Sequence, residues 1–157
     1  MMSNKKKFRI FITGANGQLA RSFSEIYPKN NLYLATKEKL DVTNRRKVLK
    51  HIKMFKPDIV FHFASMTRGD ECAKNPERAV EINTYGTRNV VEVCKKYNIT
   101  LLFISTNEVF DGKSKASYKE TDKPNPITII GQTKLEAEKI IKTELASFFI
   151  IRTSWLY

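Results

Sequence analysis

The run ITGANGQLARSF is the first place where residue types and spacing suggest chemistry. Gly14, Gly17 and Ala20 give a Gly-x-x-Gly-x-x-Ala spacing that follows an apolar run and opens an amphipathic one. A glycine at 14 permits a tight turn, one at 17 lets a diphosphate approach the backbone, and Ala20 stands where helix and strand touch. A helix start carries about half a positive charge and unpaired N–H groups, so a diphosphate is stabilised there without a lysine. The pattern predicts a dinucleotide site. Further along, ATKEKLDVTN places no Asp or Glu at the end of the second apolar run, where one would hold a ribose 2′-hydroxyl. Lys37 stands there instead and leans slightly toward a 2′-phosphate, although a solvated lysine explains it as well. Asp41 has two readings of equal weight. Either it or Thr43 caps a helix, or Asp41 and Val42 lie beside an adenine. His62, between Phe61 and Phe63, reads as a packed, hydrogen-bonded core histidine rather than a catalyst. Cys72 and Cys94 have no CxxC spacing and no His pair, so neither a disulfide framework nor a metal site is expected.

These residues need a scaffold, and the hydrophobic pattern supplies one. Short β-branched runs at Phe8–Ile12, Leu32–Ala35, Ile59–Ala64, Thr100–Ser105 and Phe148–Arg152 alternate with amphipathic stretches. Helices are expected near Gly17–Tyr27, Asn44–Phe55, Pro76–Tyr97 and Pro126–Glu144, the last two opening on proline. The alternation predicts an α/β fold, a Rossmann-like doubly wound parallel sheet of about five strands. The polar stretch from Thr106 to Asn125 reads as a long functional loop.

A chain of 157 residues with 41% hydrophobic content is one domain with a real core. No run approaches the length of a membrane span or a secretory leader, and a reducing cytoplasm is the simplest setting. The net charge of +12 is uneven: residues 1–56 hold 14 Lys/Arg against 3 Asp/Glu. Much of that excess lies in NRRKVLKHIKMFK, where Val48, Ile52 and Phe55 form an apolar stripe and Arg46, Lys50 and Lys53 point elsewhere. A solvated helix face is the favoured explanation. A field that attracts an anionic cofactor or nucleotide sugar comes next, and nucleic-acid binding is disfavoured because no interleaved aromatics accompany the charge.

TGANGQLARS, LDVT, KPDIVFHFAS, INTYGTRNV, ISTNEVFDG, IIGQTKLEAE and IIRTSWLY together resemble, in order and spacing, the extended short-chain dehydrogenases. In particular they resemble the dTDP-4-dehydrorhamnose reductase family, whose members read STDYVFDG, YGxTKxxGE and RTSWLYG. The resemblance implies NADH or NADPH as cofactor, with a slight lean to NADPH, and a 4-keto nucleotide sugar as substrate. It implies cofactor contacts at Gly14, Gly17, Gln18, Leu19, Lys37, Asp41, Val42, Phe63, Ala64, Ser65 and Lys134. It implies substrate contacts at Asn107 and Trp155.

The family's Ser/Thr–Tyr–Lys triad maps onto Thr106 and Lys134, and its tyrosine position falls on Ile130. A phenol near pKa 10 must be brought toward neutrality to protonate the forming alkoxide, and isoleucine has no proton to give. None of the 6 tyrosines lies four residues before Lys134, and Tyr118, in the long loop, is the only one near it in sequence. Asn107 stands for a family aspartate. Glu108 stands for a family tyrosine, and its carboxylate would repel a sugar diphosphate. Family members continue well past RTSWLYG into a sugar-binding domain, so residues 1–157 are expected to be the NAD(P)-binding domain alone. The resemblance therefore implies a reductase-like protein without its proton donor. The alternatives are a non-catalytic NAD(P)-binding regulatory module, as in the methionine adenosyltransferase regulatory subunit, and a degenerate reductase fragment. An unpartnered last strand would favour homo- or hetero-oligomers.

Overall fold

The computed structural model describes residues 7–154. Five parallel strands, β1 (Ile10–Thr13), β2 (Leu32–Ala35), β3 (Ile59–His62), β4 (Thr100–Thr106) and β5 (Phe148–Thr153), form one sheet in the order β2-β1-β3-β4-β5. Ile10 pairs with Leu32 on one side and Ile59 on the other, so the chain leaves β1 in one direction and resumes at β3 on its opposite flank. That reversal opens a crevice at the carboxyl ends of β1 and β3. The Rossmann-like α/β fold expected from the alternating pattern is the fold observed.

Helices α1 (Gln18–Ile26) and α2 (Arg45–Phe55) follow β1 and β2. Asn44 caps α2 by accepting a hydrogen bond from the Lys47 amide at 3.0 Å, and the helix ends on Lys56 in the left-handed region at φ 51°. Val48 and Ile52 of α2 are fully buried, while Arg46, Lys47, Lys50 and Lys53 face outward. The main core joins them to Phe11, Val60, Val90, Val91, Leu101, Phe103 and Ile141 on one face of the sheet. A smaller cluster of Ile10, Ile12 and Ala20, with Phe23 and Phe61 packed on it, lies under α1 on the other face.

Several element boundaries differ from the sequence expectation. The first strand starts at Ile10, and Phe8 is half exposed. A short helix α3 (Gly69–Lys74) lies between the third strand and Pro76, a stretch for which the sequence pattern predicts no element. The stretch Pro76–Tyr97 is helical throughout but not uniform: α4 (Pro76–Val80) passes through a π-helical turn (Glu81–Tyr85) into α5 (Gly86–Tyr97). Helix α6 (Ile129–Glu144) starts three residues after Pro126, because Thr128 accepts from the Gly131 amide at 3.0 Å and caps it.

Behind the site, a buried ion pair ties α6 to β5. The Glu138 carboxylate is fully buried and accepts from Arg152 Nε at 2.9 Å, Arg152 Nη2 at 2.7 Å and Ser105 Oγ at 2.6 Å. Burial pushes the Glu138 carboxyl up, but the hydrogen bonds from Arg152 and Ser105 outweigh it and hold the group below 4.5. Because the folded value lies below the unfolded one, the pair's contribution is complete above about pH 4.5 and is lost as pH falls further. Glu138→Ala strands the Arg152 guanidinium, and urea denaturation at pH 7 is expected to show a loss of about 3–5 kcal/mol.

Candidate functional site

Gly14 follows β1 with φ 69°, and an added Cβ would lie 2.6 Å from the Ala64 amide nitrogen. Glycine is therefore required twice, for the left-handed backbone and for the contact with the segment after β3. The Gly17 amide donates to Gly14 O at 2.9 Å, closing the loop that starts α1. Gly17 gives α1 no side-chain cap and the first turn has no acidic residue, whereas α2 and α6 are capped by Asn44 and Thr128. The first N–H groups of α1 are thus open to an anion, with Gln18 exposed and Leu19 half-buried beside them. Ala20 is buried against Ile10 and Ile12 of the sheet.

The crevice floor is held by a directed chain of hydrogen bonds. The Ala64 amide donates to Thr13 Oγ1 at 3.1 Å, and Thr13 Oγ1 lies 2.7 Å from His62 Nδ1. On the other side, His62 Nε2 lies 3.0 Å from Thr87 Oγ1, which donates to Asn83 O at 2.6 Å. Thr87 spends its proton on Asn83, so His62 carries its hydrogen on Nε2 and accepts from Thr13 at Nδ1. Burial, reinforced by the nearby Lys134 charge, drives the His62 imidazolium down to about 3. This is a neutral core histidine, as its place between two phenylalanines suggested.

Asn83 is a residue of the candidate site that the sequence did not single out. From the π-helical turn its Oδ1 accepts from Ser65 Oγ at 2.9 Å and the Met66 amide at 2.8 Å, and its Nδ2 donates to Met66 O at 3.0 Å and Thr133 Oγ1 at 3.1 Å. It fixes the segment after β3, including Ala64 and Ser65, against α6. A polar residue amid the apolar positions of a long helix was the available signal.

Elsewhere the candidates separate. Asp41 accepts from the Thr43 amide at 2.9 Å and hydroxyl at 2.8 Å, so it shapes its own turn while Asn44 caps the helix. Val42 is buried, with a methyl 2.7 Å from where a Gly86 Cβ would stand, so its side chain belongs to the packing and Asp41 is the more open of the two. Phe63 is half-buried against the α1 cluster. Lys37 is exposed beyond β2. Trp155 lies outside the described residues.

Lys134 is not a surface helix lysine. It is 5% exposed, donates from Nζ to Ile104 O at 2.8 Å and lies 4.7 Å from the Phe103 ring centre. Burial lowers its ammonium to about 8, against opposing effects of Cys72 and Glu138. Ile104 is two residues before Thr106 on β4, so the two candidates share one strand end. Thr106 Oγ1 accepts from the Glu108 amide at 3.2 Å and starts a single helical turn at Asn107–Val109. Ile130, one turn before Lys134 on α6, is buried in an apolar cluster with Cys72, Ala79, Met66 and Ile129. Gly131 beside it admits no side chain, since a Cβ would fall 2.1 Å from Glu108 O. The Glu108 carboxylate accepts from Thr128 Oγ1 at 2.7 Å, at the favourable end of the α6 dipole.

The long loop is braced rather than loose. Tyr118 Oη donates to Asp111 at 2.7 Å, Asn125 Nδ2 donates to the same carboxylate at 2.9 Å, and the Tyr118 and Phe110 rings stack at 4.3 Å. The Tyr118 hydroxyl is thereby committed away from Lys134. A shallow recess of about 260 Å³ lies between this loop and the start of α6, lined by Asn107, Glu108, Phe110 and Thr128 among others. No cluster of His, Cys, Asp and Glu that could hold a metal occurs among the described residues, and none of their helices is long and apolar enough to cross a membrane.

With this geometry in view, residues 8–157 match the family model described as the RmlD substrate binding domain. The chain belongs to that family. A dTDP-4-dehydrorhamnose reductase of Aggregatibacter actinomycetemcomitans is 36% identical over 152 residues, covering 95% of this chain and 52% of that protein. Another relative is the methionine adenosyltransferase 2 subunit beta of Bos taurus, 29% identical over 95% of this chain and 47% of its own length. The crystal structure of dTDP-4-dehydrorhamnose reductase from Bacillus anthracis str. Ames in complex with NADP superposes with a TM-score of 0.93 at 38% identity, over 99% of this chain and 56% of that one. The chain thus spans about half the length of the relatives it matches.

Burying His62 neutral links stability to pH. Its folded value of about 3 lies below the unfolded 6.5, so its contribution is complete above pH 6.5 and is lost progressively as pH falls below it. Thermal melts are expected to show a falling midpoint that begins near pH 6.5 in the parent chain. In His62→Gln this first decline should disappear.

Proposed function

We propose that this chain is the dinucleotide-binding half of a nucleotide-sugar reductase fold that retains the cofactor cradle and has lost the proton donor of the reduction. Residues 1–157 would form the NAD(P)-binding domain, with the part that grips the sugar belonging to the other half of the relatives' length. The observation that carries this reading is the uncapped N-terminus of α1 behind a glycine loop wedged against Ala64. The residues present fit the cofactor. The α1 amides, Gly17 and Gln18 would hold the diphosphate; Ala64 and Ser65, fixed by Thr13 and Asn83, would line its path. Asp41 would face the adenosine end. Lys134 would exchange its Ile104 contact for the nicotinamide ribose. The bound dinucleotide supplies hydride chemistry; every other task falls to side chains. The NADP carried by the Bacillus anthracis relative and the Lys37 ammonium favour NADPH, while Glu38 beside Lys37 opposes it.

Asn107 lines the recess in which a 4-keto nucleotide sugar would be reduced, Thr106 precedes it at the end of β4, and Trp155 would reach the same substrate. At Ile130 the proton relay is interrupted. Losing a general acid costs about 10²–10⁴ in rate, and Glu108 adds a carboxylate where a sugar diphosphate would approach. A second reading follows from the packing of Ile130 into the α3–α4 cluster and from the relationship to the methionine adenosyltransferase subunit: a non-catalytic NAD(P)-binding module that acts through a partner enzyme. A cytoplasmic setting suits both.

Fluorescence titration with NADH and NADPH tests the cradle, and micromolar or tighter saturable binding is the expected result. Ile130→Tyr, mixed with the second half of the Aggregatibacter actinomycetemcomitans reductase, tests the inherited chemistry. Measurable 4-keto sugar reduction by the variant mixture and none by the parent mixture is expected. Equal rates in the two would remove Ile130 as the interruption.

A further inference from the structure

The carboxyl end of β2 is stitched to the glycine loop: the Ala15 amide donates to Ala35 O at 3.1 Å. Beyond Ala35 the chain turns back, the Leu40 amide donating to Thr36 O at 2.8 Å. This turn carries Glu38 to the loop, where its carboxylate accepts from Asn16 Nδ2 at 3.3 Å. Asn16 lies between Gly14 and Gly17. An acid that is three residues past the strand in sequence is therefore at the crevice mouth in space, and the apparent lack of a carboxylate at the end of β2 is corrected by the fold.

We propose that Glu38, positioned by Asn16, selects the adenosine ribose of the cofactor by accepting a hydrogen bond from a 2′-hydroxyl and repelling a 2′-phosphate, so that the cradle prefers NAD(H). This rests on the dinucleotide reading above. The group is anionic at neutral pH: a hydrogen bond from Thr36 first, then one from its own backbone amide, hold its carboxyl below 4.5. Lys37 and Glu38 are both exposed, but Glu38 is hydrogen-bonded by Asn16 to the glycine loop beside which the ribose would lie. A fixed carboxylate facing a dianionic phosphate is unfavourable, and a solvated lysine compensates for it only in part. Under this proposal the lean toward NADPH, which rested on Lys37 alone, gives way to its neighbour.

Parallel titrations of the parent chain, Glu38→Gln and Glu38→Lys with NADH and NADPH at low salt test the proposal. The expected result is that the parent binds NADH at least ~10-fold more tightly than NADPH, and that the gap narrows as salt rises. Glu38→Gln should remove most of the gap, chiefly by tightening NADPH, and Glu38→Lys should invert the order. NADPH binding as tight as NADH in the parent, or an unchanged gap in Glu38→Gln, overturns the role of Glu38 and leaves the dinucleotide reading standing. Binding of neither cofactor overturns both.

Discussion

Gly14 and the backbone of Ala64 approach so closely that no side chain fits between them, and the carboxyl edge of the sheet is arranged around that contact. The approach brings Thr13 under the Ala64 amide, and Thr13 in turn faces His62. His62 then reaches Thr87, and Thr87 reaches the Asn83 carbonyl. Thr13, His62 and Thr87 each have one donor and one acceptor role between the Ala64 amide and the Asn83 carbonyl, so the chain of bonds has a single direction and a single histidine tautomer. A partly satisfied network would be costly in this dry interior; a complete one locks the crevice geometry. The floor of the site is therefore set by core polar groups rather than by the exposed loops around it.

The same logic governs the β4–β5 side of this face of the sheet. Lys134 and Glu138 are one turn apart on α6, both buried, and neither pairs with the other as a simple salt bridge. Glu138 is taken by Arg152 and Ser105, and Lys134 by the Ile104 carbonyl and the Phe103 ring. Anchoring β5 and β4 to α6 through the acid leaves the lysine's remaining hydrogens available at the strand end. With each buried charge given its own partners, a helix with so many buried polar positions can be stable.

Much of this architecture is legible in the amino-acid sequence. The alternation of short apolar runs and amphipathic stretches marks the five strands, because buried parallel strands and their crossover helices have different periods. Gly14, Gly17 and Ala20 mark the candidate cradle, the tight loop between β1 and α1, through spacing alone. Less visible are features that depend on the chain folding back. Glu38 reaches Asn16 only through the turn at Thr36–Leu40, and Asn83 is aimed by a π-helical turn that no local residue pattern marks. Pro126 looks like a helix start, yet Thr128 holds that role, because its hydroxyl can both accept from Gly131 and donate to Glu108. Side-chain bonding capacity outweighs a weak positional preference.

Under the proposed function, Ile130 shows how a site can lose its reaction and keep its frame. Gly131 lies against the Glu108 carbonyl, Thr133 bonds Asn83, and Lys134 is buried at the strand end. The Ile130 side chain just before them packs with Cys72, Ala79 and Met66, where it contributes apolar burial in place of a hydroxyl. Burial of a branched aliphatic side chain is worth about 1.5–3 kcal/mol, so isoleucine adds to the packing between α6 and the α3–α4 segment. A catalytic phenol must instead remain open to substrate, which limits how fully it can be packed. On the proposed reading the two demands conflict at a single position, where the packing demand would have prevailed while the residues that would hold a dinucleotide remain in place.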